Sequence, residues 1–269
     1  MFSLLMLIMG AAPILAPIMG GQLLLITGWR GIFGFLGVFG LLSIGAAAAG
    51  LPESLPKERR VRHNFAEMAA VYGHLLCNRR YVCYAIALGC VAGVTFSYIS
   101  GAPFFFIELH GVSPQHFGIF FGVNACGLIG ASQVNRKLLH RFSAQWIMNV
   151  ALTVNAATGL LLTAAVMTGI GGFPVQATLI FVCLCMTGLL YPNVAALAMA
   201  PFDKAAGSAS ALLGTIQYTL GATAGAFVGI FHNGTAVPMT ASMAVCGVVG
   251  WYAAVGLPRS SLARAAKMP

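Results

Sequence analysis

Charge is what this chain has least of. Asp, Glu, Lys and Arg together make up 7% of its 269 residues, five acids against fourteen bases, where soluble domains carry about 25%. So few charges cannot solvate the surface of a globular domain of this length, and a soluble fold is excluded. The charges that exist are also absent from eight long stretches, 2–26, 31–51, 81–106, 115–134, 145–168, 174–199, 207–231 and 236–257, none of which contains Asp, Glu, Lys or Arg. About 20 apolar residues suffice for a helix to cross the hydrocarbon core of a bilayer. The recurrence of such runs, in a chain that is 59% hydrophobic with a mean hydropathy of +0.90, predicts an all-α polytopic membrane protein with the lipid bilayer as its first partner.

Chemical signatures are missing as well. There is no H-E-x-x-H and no G-x-S-x-G, and His63, His74, His110, His116, His140 and His232 fall in loops or at span ends. No nucleophile and base, and no metal-ligand set, recur at helical spacing, so the expectation is a protein that is not an enzyme and holds neither metal nor cofactor. Of the seven cysteines, Cys83, Cys90, Cys126, Cys183, Cys185 and Cys246 lie inside apolar runs and read as small core residues rather than disulfide partners. The net charge of +9 does not predict nucleic acid binding, because the bases sit between apolar runs without aromatic residues interleaved on a polar surface.

What charge there is sets an orientation. The one long polar segment, 52–80, carries Lys57, Arg59, Arg60, Arg62, Arg79 and Arg80 around a short amphipathic stretch, Phe65 to Leu76. Placing it in the cytoplasm puts thirteen of the fourteen bases on that side, including Arg136, Lys137, Arg141, Lys204 and the tail 258–269, with Arg30 alone outside, as the positive-inside rule requires. The expected organisation is two helices in 1–51, a basic cytoplasmic loop in 52–80, a six-helix unit in 81–257 and a cytoplasmic tail in 258–269. The connections at 27–30, 107–114, 169–173 and 232–235 then lie outside.

Glycine and proline, by contrast, are plentiful inside the spans. At about 100° per residue, Gly10, Pro13, Pro17, Gly20 and Gly21 share one stripe of the first span, thin and bent, which lets another helix approach closely. Gly118, Gly122, Ala125 and Ser132 share a face of the fourth. In the seventh, Gly207, Ser210, Gly214, Gly221, Gly225 and Gly229 form a stripe flanked by Gln217 and Tyr218. Polar and aromatic side chains within spans mark a candidate cavity: Tyr98, Asn124, Tyr191, Asn193, Gln217 and Tyr218. Each has a packing alternative, since a buried amide or phenol also serves as hydrogen-bonding glue between helices. Pro103 predicts a bend before Phe104-Phe105-Phe106, which suit either a cavity wall or an interfacial aromatic belt. Pro192 removes a donor beside Tyr191 and Asn193, giving a kink that faces either a substrate or a neighbouring helix. Glu108, at the outer end of the third span, is a candidate gate or proton acceptor, or simply an exposed loop carboxylate.

Read in order, these residues carry a resemblance. Gly10, Pro17 and Gly20-Gly21 resemble the antiporter motif on the fifth helix of drug exporters of the major facilitator superfamily. Gly28-Trp29-Arg30, Leu51-Pro52-Glu53-Ser54-Leu55-Pro56, Gly101-Ala102-Pro103-Phe104 with Ile107-Glu108, and Ala206-Gly207-Ser208-Ala209-Ser210-Ala211 are similar to the Bcr/CflA branch, the bicyclomycin-resistance-like multidrug exporters. Asn193 aligns with a family asparagine, whereas Pro192 departs from the family pattern. The resemblance implies twelve spans in two six-helix halves, of which the eight here correspond to helices five to twelve, with the first four missing. It implies a multi-pass protein of the bacterial inner membrane, monomeric when full length, that exports small amphipathic drugs in exchange for protons, the proton gradient supplying the driving force. It also implies that the thin face of the first span packs on Gly118, Gly122 and Ala125 across the interface between halves, and that the glycine groove of the seventh has lost its partner, the family's second helix. An inert gene remnant, or a structural membrane subunit without transport of its own, is the alternative.

Overall fold

The computed structural model describes the backbone of residues 2–50, 65–202 and 205–256; the side chains at 2–18, 24–25, 65–69, 114–115 and 256 lie outside that description. It divides into two compact units, Met1–Met68 and Ala69–Pro269. Every described element is helical, and seven stretches are long and apolar enough to span a membrane. They match the second to eighth predicted spans. The first, 2–26, falls in the helix Phe2–Gly50, and most of the side chains of that span lie outside the described residues.

The first unit contains α1 (Phe2–Gly50), one helical run divided at Gly28, whose φ of 69° and ψ of 179° interrupt the helix. Residues with a Cβ seldom take that φ, which is why the break falls on glycine. It coincides with the predicted connection at 27–30. Beside it the Arg30 guanidinium stacks over the Trp29 ring at 4.6 Å, pairing cation and aromatic in the way that suits a membrane interface.

The second unit begins at Ala69, inside the segment 52–80 expected to form the basic loop. Most of α2 (Phe65–Cys77) belongs to it: Leu75, 1% exposed, lies in the same core cluster as Tyr81, Leu88 and Val194. Six spans follow, α3 (Arg79–Pro103), α4 (Pro114–Leu138), α5 (Ala144–Thr168), α6 (Gly172–Met199), α7 (Ala206–Ile230) and α8 (Val237–Trp251). Their ends are fixed by local chemistry. Asn78 caps α3 by accepting from the Tyr81 N–H at 3.0 Å, and Ser143 caps α5 by accepting from the Trp146 N–H at 3.2 Å, each meeting one of the orphan donors of a helix start. The α5–α6 turn is tight because Gly169, Gly171 and Gly172 all hold positive φ.

Beyond Pro103 the chain does not leave the helix, as the predicted connection at 107 required. It widens into a π-helical turn over Phe104–Leu109 that follows directly on Pro103.

The centre of this unit is α3, which packs on α6, α7 and α8; α5 lies between α6 and α8, and α4 packs on α6. The core has two parts. One, at the Arg136 end, gathers Tyr81, Tyr84, Met148, Leu152 and Leu190. The other, toward Glu108, gathers Tyr98, Phe105, Phe106, Leu162, Ile180 and Met243. Of the cysteines assigned to the core, Cys83, Cys90 and Cys183 are buried, Cys185 and Cys246 half-buried, and Cys126 exposed. The last corrects the expectation: α4 turns most of its surface outward, so a residue inside an apolar run need not lie inside the unit.

Candidate functional site

One turn in the middle of α3 brings together candidates from three other helices. At about 100° per residue Phe96 points well away from Thr95 and Tyr98, which lie about 60° apart, and each of the three meets a different neighbour. Tyr98, 3% exposed, accepts a hydrogen bond at 2.9 Å from the amide nitrogen of Asn124 on α4, and its ring stacks on Phe121 at 5.9 Å. Thr95 accepts from the Tyr191 hydroxyl of α6 at 3.1 Å. Phe96 meets the ring of Tyr218 on α7 edge-on at 6.4 Å. Tyr98 and Asn124 are both buried, so that pair holds α4 on α3, while the half-buried Thr95, Phe96 and Tyr191 and the exposed Tyr218 present a band of hydroxyl groups and aromatic faces. Such a surface takes flat apolar groups on its rings and orients them with a few polar contacts.

This turn of α3 joins four of the six residues predicted to line a cavity, Tyr98, Asn124, Tyr191 and Tyr218. Asn193 does not belong to it. It is 2% exposed and donates both to Asn135 of α4, at 2.6 Å, and to the Leu189 carbonyl, at 2.7 Å; its capacity is absorbed in holding α4 on α6. Gln217 is half-buried and makes no side-chain hydrogen bond among the described residues. Thr95 and Phe121 were not singled out from sequence. Thr95 bonds the Val91 carbonyl at 3.2 Å, the ordinary habit of threonine in a helix, and only the position of Tyr191 distinguishes it.

The aromatic run is also reassigned. Phe105 and Phe106 are fully buried and pack with Phe120, Phe173 and the His110 ring, so they wall no cavity and form no exposed belt. Glu108 is exposed beside them.

The packing glycines divide. On α7, a Cβ at Gly221 would stand 3.1 Å from Phe96, and one at Gly225 would stand 2.9 Å from the Ser100 hydroxyl. This part of the stripe is therefore seated on α3, a neighbour not foreseen for a groove expected to have lost the family's second helix. Gly207, Gly214 and Gly229 have nothing within 4 Å in the Cβ direction, and neither do Gly118 and Gly122 on α4. In the antiporter-like stretch Gly10, Pro13, Pro17, Gly20 and Gly21 are all helical. The side chains at 10–17, and with them the expected packing of that face, lie outside the described residues.

Comparison with known proteins decides the family. The Major Facilitator Superfamily matches residues 1–226. The chain belongs to that superfamily. A protein described as an uncharacterized MFS-type transporter, YdgK of Bacillus subtilis, is 36% identical over 263 residues, which cover 96% of this chain and 64% of the relative. A bicyclomycin resistance protein homolog of Haemophilus influenzae is 26% identical over 247 residues, 92% of this chain and 62% of its own. The multidrug transporter MdfA of Yersinia pestis is 27% identical over 223 residues, 78% of this chain and 52% of its own. The chain thus spans less than two-thirds of the length of these relatives. Its fold is that of an all-α, multi-pass membrane protein of the superfamily.

Proposed function

We propose that this chain supplies the binding surface of an exporter of small amphipathic molecules of the bacterial inner membrane, with the basic segment 52–80 and the tail on the cytoplasmic side. The observation that carries the reading is the band at Thr95, Phe96 and Tyr98, which ties α3 to α4, α6 and α7 through phenol, amide and hydroxyl groups. The kinship with a bicyclomycin resistance protein homolog and with multidrug transporters supports drugs or drug-like metabolites as cargo. Alternating access, with halves rocking about a central site, and proton exchange are the mechanism that the superfamily reading carries with it. Because the chain spans under two-thirds of its relatives, binding is proposed for this chain and export for the whole protein.

Glu108 is exposed, which favours a loop carboxylate over a buried proton carrier; Glu108→Lys is expected to leave efflux within about fivefold, since an exposed charge contributes at most about 1 kcal/mol. The test is ethidium movement into everted membrane vesicles from cells lacking their own exporters, using the chain joined to the further length its relatives carry. Movement that stops when the proton gradient is collapsed, and that falls about fivefold or more in Tyr98→Ala, is the expected result. Movement indifferent to the gradient removes proton exchange; none at all removes export.

A further inference from the structure

A second cleft opens between α3, α7 and α8 at the Glu108 end, and it shares no residue with the band described above. Its cavity is about 200 Å³, and about 150 Å³ is enough to take benzene. Phe104, Val228, Ala236 and Met239 supply apolar walls, and Ser100, His232 and Thr235 a polar side. On α3, Ser100 lies one turn beyond Phe96 on the face that meets α7, and roughly 160° round the helix from Tyr98, so the cleft adjoins the α7 side of the band and faces away from its α4 side.

Its polar groups are unequal. The Thr235 hydroxyl already donates to Asn233 at 2.6 Å. The Ser100 hydroxyl and the His232 ring nitrogens make no hydrogen bond among the described residues, although other span hydroxyls, such as those of Thr163, Thr215 and Thr223, bond a carbonyl one turn back. The His232 ring meets Phe104 edge-on at 4.4 Å and 82°, leaving an aromatic wall on one side of the cavity and two uncommitted hydrogen-bonding groups beside it. Ser100 and His232 are both exposed, so solvent can meet them while the cleft is empty; a one-ring compound with a polar group covers the apolar walls and replaces that solvent at both groups at once.

We propose that this cleft is a second small-molecule site, which takes a one-ring aromatic compound bearing a hydroxyl or amide group. The ring lies between Phe104 and Met239, and the polar group meets His232 and Ser100. The proposal goes beyond the export reading and does not depend on it.

The test is photolabelling of the full chain in lipid nanodiscs with a trifluoromethyl-diazirine benzyl alcohol, which has one ring and one hydroxyl, followed by peptide mass spectrometry. Saturable labelling of the α3 and α8 walls, competed by excess benzyl alcohol and unchanged in Tyr98→Ala, is expected. Gly229 lines the cleft and has nothing within 4 Å in its Cβ direction, so a side chain can start there without a clash at its Cβ, and Gly229→Phe is expected to fill the cleft and abolish the saturable component. His232→Leu, which keeps the bulk and removes the ring nitrogens, should weaken it about threefold to tenfold, the worth of one hydrogen bond. Labelling that rises linearly with probe concentration, as at any lipid-facing groove, overturns the proposal. So does saturable labelling that both variants leave intact.

Discussion

Two sets of glycines in the six-helix unit have opposite surroundings. Gly159 of α5 and Gly247 of α8 lie where those helices meet backbone to backbone, a Cβ at either one falling 3.0 Å from a main-chain atom of the other helix, Ala244 or Ala156. Gly188 of α6 lies against the Leu128 carbonyl of α4, with which a Cβ would collide. Gly118 and Gly122 of α4, and Gly207, Gly214 and Gly229 of α7, meet nothing. Most of the regular stripes is thus open, with only Gly221 and Gly225 of α7 seated on α3, while the closest approaches to a neighbour's main chain use glycines that no periodicity marks. Spacing in a sequence shows that close approach is allowed on a face; it does not say whether a helix is there.

Substitution separates the two sets. Gly188→Leu forces a side chain into the α4 main chain, where no rotamer change relieves it, and is expected to destabilise by about 3 kcal/mol. For a unit of this size that lowers the melting temperature by about 10 °C, measurable by fluorescence-detected unfolding in detergent. A shift under about 2 °C means that α4 and α6 part easily, and the distinction between packed and open glycines fails.

Next in size is Asn193→Ala, which removes the Asn135 and Leu189 bonds and strands a buried amide at about 1–3 kcal/mol. The double variant with Asn135→Ala should cost less than the sum of the single ones, since the second change removes the stranded partner. Tyr98→Phe deletes one acceptor and leaves Asn124 unpaired, for which about 0.6–1.7 kcal/mol is expected in a membrane. The smallest effect belongs to Gly214→Leu, within about 0.5 kcal/mol of the parent. If it equals Gly188→Leu in the isolated chain, the α7 stripe is packed after all.

Much of the fold was legible because its signals are local. Apolar runs mark the spans; Gly28, Asn78, Ser143 and the glycines of 169–172 mark their ends, through backbone and capping chemistry that depends only on neighbouring residues. The candidate site was legible in composition but not in pairing. Tyr98 and Asn124 stood out separately as polar groups in apolar runs, and nothing in their spacing shows that they bond each other. Asn193 carried the same signal, yet its environment is a helix contact, because polarity within a span marks either glue or a ligand surface without distinguishing them. Phe105 and Phe106 show the same limit for aromatics: the sequence places them at a span end, and only the positions of Phe120 and Phe173 make that end a core.

The confinement of charge to the ends of the spans has an electrical consequence. A transmembrane potential acts on charge displaced across the bilayer, about 2.3 kcal/mol for each elementary charge per 100 mV. None of the runs 81–106, 115–134, 145–168, 174–199, 207–231 and 236–257 contains Asp, Glu, Lys or Arg, so a tilt of the six-helix body carries almost no gating charge of its own. Any response of this body to voltage therefore comes from the charges at its span ends, Arg79, Arg80, Glu108, Arg136, Lys137 and Lys204 among them, and not from its membrane interior.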